Sequence, residues 1–369
     1  MSCPEREPLV AAISGVKNSG KTTLIERLIP RLLERGISVA TVKHDGHRFE
    51  AERPGTDSFR HLQAGALGSA VFDGEKFQLV KRTPVDENTL IGMFPEADLI
   101  LLEGFKSSVW PKVEIVRRGN SSAPVCDPST LLALVTALEM PSAPCPVLAP
   151  EDDSGLAGLL ERFVKTGRSC SGIILAGGYS SRMGRCKAEL PFGGVRMIEH
   201  QVRKLRMLGI EDILIAGYEP EIAGARFVPD VYPHRGPLSG IHAGLAAARC
   251  ERALVVSVDA PLLPMAALSA LMQTHEGGVT ALTHGGQLEP LLAVYDRALA
   301  PLCGEILQGE RSSVRQLFDR VGLHEIDWQG DGLLLSNCNT PEEYEKLCAI
   351  SQVQNEICNF YRQGVDKNL

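Results

Sequence analysis

Short apolar runs alternate with longer amphipathic ones along the 369-residue chain. "LVAAI", "ISVATV" and "DLILLE" read as buried strands, while "TLIERLIPRLLERG" sets Leu24, Ile25, Leu28, Ile29, Leu32 and Leu33 on one stripe of a helix. This alternation predicts a parallel sheet with crossover helices. Pro30 should kink that helix because it lacks a backbone donor, and Gly36 supplies a stop. From residue 139 to 155 the text turns rich in Pro and small residues, "EMPSAPCPVLAPEDDSG", followed by a short helix near 155–165 and a polar link, "KTGRS". The pattern then restarts with "SGIILA", a helix carrying Ile198, Val202, Leu205 and Leu208, then "DILIAG" and "ALVVSVD".

The restart predicts two α/β domains, residues 1–167 and 168–345, with a helical and then polar tail over 346–369. The length agrees, being too great for one ordinary core. A content of 44% hydrophobic, 22% charged and 5% aromatic residues fits an α/β protein and excludes a disordered or fibrous chain. The net charge of -7 excludes nucleic-acid binding by general electrostatics and leaves local basic loops to hold a small anion.

Ten cysteines stand at 3, 126, 145, 170, 186, 250, 303, 338, 348 and 358 with no C-x-x-C pair, which points to free thiols in a reducing cytosol. No apolar run approaches the roughly 18 residues that span a bilayer. "MSCPEREPLV" has no basic stretch leading into an apolar one. The expected location is cytoplasmic, away from membranes.

"GVKNSGKT" carries the first chemistry. Gly15, Gly20, Lys21 and Thr22 satisfy G-x-x-x-x-G-K-[ST] between an apolar strand and an amphipathic helix, with Ser19 and Thr23 beside them. Glycines let backbone N–H groups wrap phosphate oxygens, the helix start adds positive potential, Lys21 neutralises β/γ charge, and the Thr22 hydroxyl can ligate Mg²⁺. "DLILLEG" ends a strand with Glu103 and Gly104, and "TVKHDGHRFE" puts Lys43, His44 and Asp45 after another. Glu103 there can hold Mg²⁺ or its waters, or cap a helix or turn. His44, Asp45 and His47 read as exposed loop residues sooner than as a zinc site. No N-K-x-D stretch follows a strand, so base preference is not visible in this half.

The ordered series "GVKNSGKTTLIERLI", "TVKHDGHRFE", "RPGTDSFRHLQAGA" and "LLEGFK" resembles the MobB family of molybdenum cofactor biosynthesis over residues 8–166. The resemblance implies a P-loop NTPase-like domain that binds GTP, hydrolyses it poorly and serves as a helper.

A second glycine turn, unlike a Walker loop, lies in "SGIILAGGYSSRMGRCKAEL". Ala176, Gly177 and Gly178 follow the strand, and Arg182 and Lys187 can neutralise a polyphosphate. In "ALVVSVDAPLL", Asp259 ends a strand at the sheet's carboxyl edge, where it can hold Mg²⁺ or cap the helix after it. Asp230, in "VPDVYPHRGPLSGIHAGL", either meets substrate or faces solvent.

With "LEPLLAVY" and "SNCNTPEEY", these motifs resemble the nucleotidyltransferases, in particular the MobA family of molybdenum cofactor guanylyltransferases, over residues 170–345. The implied fold is Rossmann-like, a doubly wound and mostly parallel sheet. The resemblance makes Leu175, Ala176 and Gly177 nucleotide-contacting, Lys187 and Asp230 substrate-binding, and Asp259 both nucleotide- and metal-binding. Arg182 and Lys187 would join Asp259 in catalysis. Tyr218 stands where the family usually has Asn, and the pair Gly177–Gly178 favours guanylyl over cytidylyl transfer.

The implied reaction moves GMP from GTP onto the terminal phosphate of molybdenum-loaded molybdopterin and releases pyrophosphate. Molybdoenzymes or other cofactor-biosynthesis proteins would be its partners. Cytidylyl or sugar-phosphate transfer, and a GTP-dependent binding or delivery role without transfer, stand as alternatives.

Overall fold

The computed structural model describes residues 7–44, 53–177 and 186–351. In the first half the apolar runs form β1 (Leu9–Gly15), β2 (Val39–Lys43), β5 (Leu99–Glu103), β6 (Lys112–Ile115), β7 (Leu131–Val135) and β8 (Val147–Leu148). These strands lie in the order β2-β5-β1-β6-β7-β8, all parallel, with β1 at the centre. Between β2 and β5 run helix α2 (Asp57–Gln63), the hairpin of β3 (Gly68–Phe72) and β4 (Phe77–Lys81), and α3 (Glu87–Ile91). The hairpin, absent from the sequence expectation, pairs Phe72 with Phe77, both largely exposed.

Helix α1 (Lys21–Leu33) buries Leu24, Ile25, Leu28 and Leu32 of the expected stripe, leaves Ile29 half-buried and Leu33 exposed, and runs unbroken through Pro30. Gly36, at φ +72°, then turns the chain, and the Ile37 N–H closes back on the Leu32 carbonyl at 3.0 Å. Helix α4 (Asp153–Gly167) takes in the first three residues of "KTGRS", so the polar link is shorter than the sequence suggests. An i,i+4 pair, Lys165 to Glu161 at 2.6 Å, supports its last turn. A Cβ at Gly167 would lie 1.7 Å from the Leu208 carbonyl oxygen, so a glycine is required where the halves meet.

The second half begins with β9 (Ser171–Leu175), a small hairpin of β10 (Pro191–Phe192) and β11 (Val195–Arg196), and helix α5 (Met197–Met207). After these come β12 (Ile213–Ala216), β13 (Ala225–Val228), α6 (Pro237–Ala247), β14 (Arg252–Ser257) and α7 (Met265–Thr274). The long hairpin β15 (Val279–His284) and β16 (Gln287–Asp296), helices α8 (Ala300–Gln308) and α9 (Val314–Phe318), and β17 (Leu323–Asp327) complete the labelled elements. The sheet order is β13-β12-β9-β14-β16-β15-β17, parallel except where β16 pairs with β14 and β15. A further helix over residues 341–351 packs Leu347 into the core.

One apolar core runs through both halves, from Leu9 and Leu28 by way of Leu160 and Phe163 of α4 to Leu205, Leu268 and Leu271. Helix α4 lies between α1 and α7, and α7 also packs on β7. Arg162 Nε donates to Gln273 Oε1 across this junction at 3.0 Å.

Candidate functional site

In a parallel sheet, adjacent strands that run the same way deliver their following loops to one edge. Register places Lys43 of β2 opposite Glu103 of β5, and Glu103 opposite Ile13 of β1, two residues before the first glycine loop. Gly15 at φ +138° and Gly20 at φ +101° give the loop its left-handed turns, and a Cβ at Gly15 would meet the Ile115 carbonyl oxygen at 2.6 Å. Gly20 caps α1, and the loop is braced from outside by Asn120, whose Nδ2 donates to the Asn18 carbonyl at 2.7 Å.

Lys21 curls over the loop and donates to the Val16 carbonyl at 2.8 Å. Burial lowers its pKa, and Glu103 opposes that shift. The Thr22 hydroxyl donates to Glu103 Oε1 at 2.8 Å, and Lys43 Nζ lies 3.0 Å from the same oxygen. Glu103 is therefore part of the loop's polar cluster and not a cap. Ser19 Oγ is buried without a hydrogen-bond partner, so the loop floor offers a hydroxyl that a phosphate oxygen would satisfy. Thr23 is exposed in the first turn of α1, and His44 sets its ring edge-on to Phe105 at 5.9 Å.

The second glycine loop leaves the sheet between β12 and β14, where Leu175 pairs with Ala216 on one side and Ser257 on the other. Ala176 and Gly177 follow directly, and a Cβ on Gly217, at φ +84°, would meet the Gly177 Cα at 2.4 Å. Two backbones touch here because both residues are glycine. Lys187 Nζ donates to Asp259 Oδ2 at 2.6 Å and to Asn339 Oδ1 at 2.8 Å, while Ser257 Oγ donates to Asp259 Oδ1 at 2.5 Å. The cap of α7 is Pro264, which removes the capping role for Asp259.

Asp230 lies beside the start of α6, where Gly236 at φ +75° and Pro237 open the helix. Its Oδ1 and the Ser239 Oγ are buried and unpartnered. Burial raises the Asp230 pKa, and His242 opposes the rise. Gly240 lets α6 close on the sheet, since a Cβ there would come within 2.8 Å of Leu175. Tyr218 donates to Glu189 Oε1, and that hydrogen bond, with burial, raises its pKa to about 12.

Gly178 and Arg182, with Asp45 and His47, lie outside the described residues. The structure brings together Lys187 and Asp259, and separately Lys21, Thr22 and Glu103. Residues that the sequence reading left without a role join them: Ser257, Asn120 and Asn339. Asn339 stands in the quoted "SNCNTPEEY", whereas nothing marks Asn120 in its own stretch. Among the described residues no three His, Cys, Asp or Glu side chains converge as a metal cluster. No helix there is long and apolar enough to cross a membrane.

Residues 10–137 match the family model described as molybdopterin guanine dinucleotide synthesis protein B, and residues 172–323 match that of the MobA-like NTP transferase domain. A probable molybdenum cofactor guanylyltransferase of Carboxydothermus hydrogenoformans is 36% identical over 186 residues, covering 48% of this chain and 94% of that protein. The molybdopterin-guanine dinucleotide biosynthesis adapter protein of Escherichia coli is 36% identical over 124 residues, covering 32% of this chain and 70% of its own length. The crystal structure of Bacillus subtilis MobB is similar with 30% identity and a TM-score of 0.36, covering 41% of this chain and 96% of that one. The chain thus joins two families in one polypeptide: its first half belongs with the molybdopterin-guanine dinucleotide biosynthesis adapter proteins and its second with the molybdenum cofactor guanylyltransferases.

Proposed function

We propose that the second domain, residues 168–345, transfers GMP from GTP to the terminal phosphate of molybdenum-loaded molybdopterin, in the cytoplasm. Residues 1–167 hold GTP as an accessory module. The observation that carries this reading is the pairing of Lys187 with Asp259, held by Ser257 and Asn339 at the sheet edge beside Gly177.

The acceptor's phosphate oxygen attacks the α-phosphorus of GTP as the bond to the bridging oxygen breaks, and the electron pair leaves with pyrophosphate. A phosphate nucleophile is already anionic and needs no strong base, so the chain's work is positioning and charge neutralisation. The Leu175–Gly178 turn holds the nucleotide, and Lys187 and Arg182 meet the charge that moves onto the leaving pyrophosphate. Asp230 orients the acceptor.

Mg²⁺ would be held by Asp259 in the second domain and by Thr22 and Glu103 in the first. These are hard oxygen donors, and Mg²⁺ commonly takes one or two carboxylates and completes its shell with water and substrate phosphates. When bound, it would add charge neutralisation at the phosphates. Asp259→Ala in the full chain tests the assignment: pyrophosphate release should vanish with the fold intact, and near-normal turnover would sink it.

A further inference from the structure

Helix α5 turns three polar side chains toward the segment after β14. Gln201 Nε2 donates to the Ser257 carbonyl at 3.2 Å and the Ala260 carbonyl at 2.7 Å. Lys204 Nζ donates to the Pro261 carbonyl at 2.7 Å and the Leu263 carbonyl at 2.8 Å. His200 Nε2 meets the Pro261 carbonyl at 2.9 Å, and since a carbonyl only accepts, that nitrogen carries the proton. The carbonyl of Asp259 itself accepts from the Cys338 N–H at 2.8 Å. The segment bearing Asp259 has no secondary structure of its own, and these donors replace the missing ladder.

A lysine is an expensive donor in such a place. Lys204 is 4% exposed and makes no ion pair shorter than 4.0 Å among the described residues. Burial brings its pKa down to about 7. The charge that opposes this shift is Asp127 of the first domain, whose own carboxylate is oriented by the Ser129 N–H at 2.9 Å and the Ser129 hydroxyl at 2.8 Å. On α5 the neighbouring ionisable groups are His200 and Arg203, while Ala260–Pro264 and α7 contribute none.

We propose that Lys204, with Gln201 and His200, is a positioning residue for Asp259. The inference rests on the transferase reading. The clamp's donations all end on backbone carbonyls of the segment around Asp259, so its loss disturbs the placement of Asp259 and leaves the glycine turn intact.

The test measures pyrophosphate release by the full chain. Lys204→Met removes both donations at similar side-chain volume. It should lower kcat about tenfold or more with KM for GTP within about threefold. Gln201→Leu removes the donations to the Ser257 and Ala260 carbonyls and should lower kcat in the same way, with KM for GTP again within about threefold. Gln273→Ala cuts a domain contact that does not reach the loop and should change neither.

Wild-type kcat in Lys204→Met and in Gln201→Leu overturns the inference, as does an equal effect in Gln273→Ala. If Lys204→Met does not fold, Gln201→Leu decides alone. A wild type that releases no pyrophosphate overturns the transferase reading and this inference together. An active wild type with indifferent variants overturns the inference only.

Discussion

Lys187 Nζ and Asp259 Oδ2 stand 2.6 Å apart, although one side chain follows the glycine loop of β9 and the other follows β14. Parallel pairing of these strands brings both loops to one edge. The side chains are 18% and 13% exposed, so the pair is less screened than a surface salt bridge. If the two act as a unit on the polyphosphate, Asp259→Asn and Lys187→Met should each lower kcat/KM about a hundredfold or more, and the double variant should lose little beyond either. Steady-state pyrophosphate release for the four corners of the cycle checks this, and strict additivity would separate their roles.

Lys21→Met tests the division of labour between the loops. It removes the cation over the first loop, so GTP affinity at that site should fall about 10- to 100-fold. At saturating GTP and cofactor, pyrophosphate release should stay within a few-fold of wild type. Calorimetric titration of nucleotide alongside the turnover assay separates the two quantities, and a turnover loss as large as that of Asp259→Ala would place chemistry in the first loop.

Gly217 should tolerate no side chain. At φ +84°, with Gly177 Cα 2.4 Å from where its Cβ would stand, Gly217→Ala must strain the backbone and push the nucleotide turn outward. A loss of about 2 kcal/mol or more in denaturant unfolding is expected, together with a raised KM for GTP. Gly286→Ala, at φ +77° in the β15–β16 turn with nothing within 4 Å, serves as the comparison and should leave KM unchanged.

His200 carries a pH dependence with a definite sign. Burial, together with the nearby charge of Lys204, lowers its folded-state pKa from 6.5 to about 3, and the hydrogen bond to the Pro261 carbonyl opposes the shift. Between those values the unfolded chain binds more protons, so stability is fully present above pH 6.5 and is lost as pH falls toward 3. The loss from this residue is at most about 1.4 kcal/mol per pH unit. Urea titrations at pH 7, 6 and 5 should show a shallower decline in His200→Gln, and an unchanged slope would contradict the assignment.

The first glycine loop and the strands that precede both loops were legible because such motifs are local, with the spacing of Gly, Lys and Thr doing the chemical work in the first; residues 178–185 of the second lie outside the described residues. Legible too was the stripe of α1, whose Leu24, Leu28 and Leu32 are buried as spaced. Pairings across the sequence were not legible. Asn339 reaches Lys187 over 152 residues, and Asn120 braces Asn18 over 102, each through folds of the sheet that no short window contains. A partial signal existed for the clamp: Gln201 and Lys204 fall on the same buried stripe as Ile198, Val202 and Leu205. A polar residue in an apolar stripe asks for a buried partner. The β3–β4 hairpin escaped because its alternation exposes Phe72 and Phe77 instead of burying them.

The central claim is transfer of a guanylyl group by the second domain, and one measurement addresses it most directly. The full chain is incubated with purified molybdenum cofactor, Mg²⁺ and each of GTP, CTP, UTP and ATP in turn, and pyrophosphate is quantified. GTP alone should yield pyrophosphate in step with a dinucleotide product. Release from CTP or UTP in its place, or none from any nucleotide, would contradict the account.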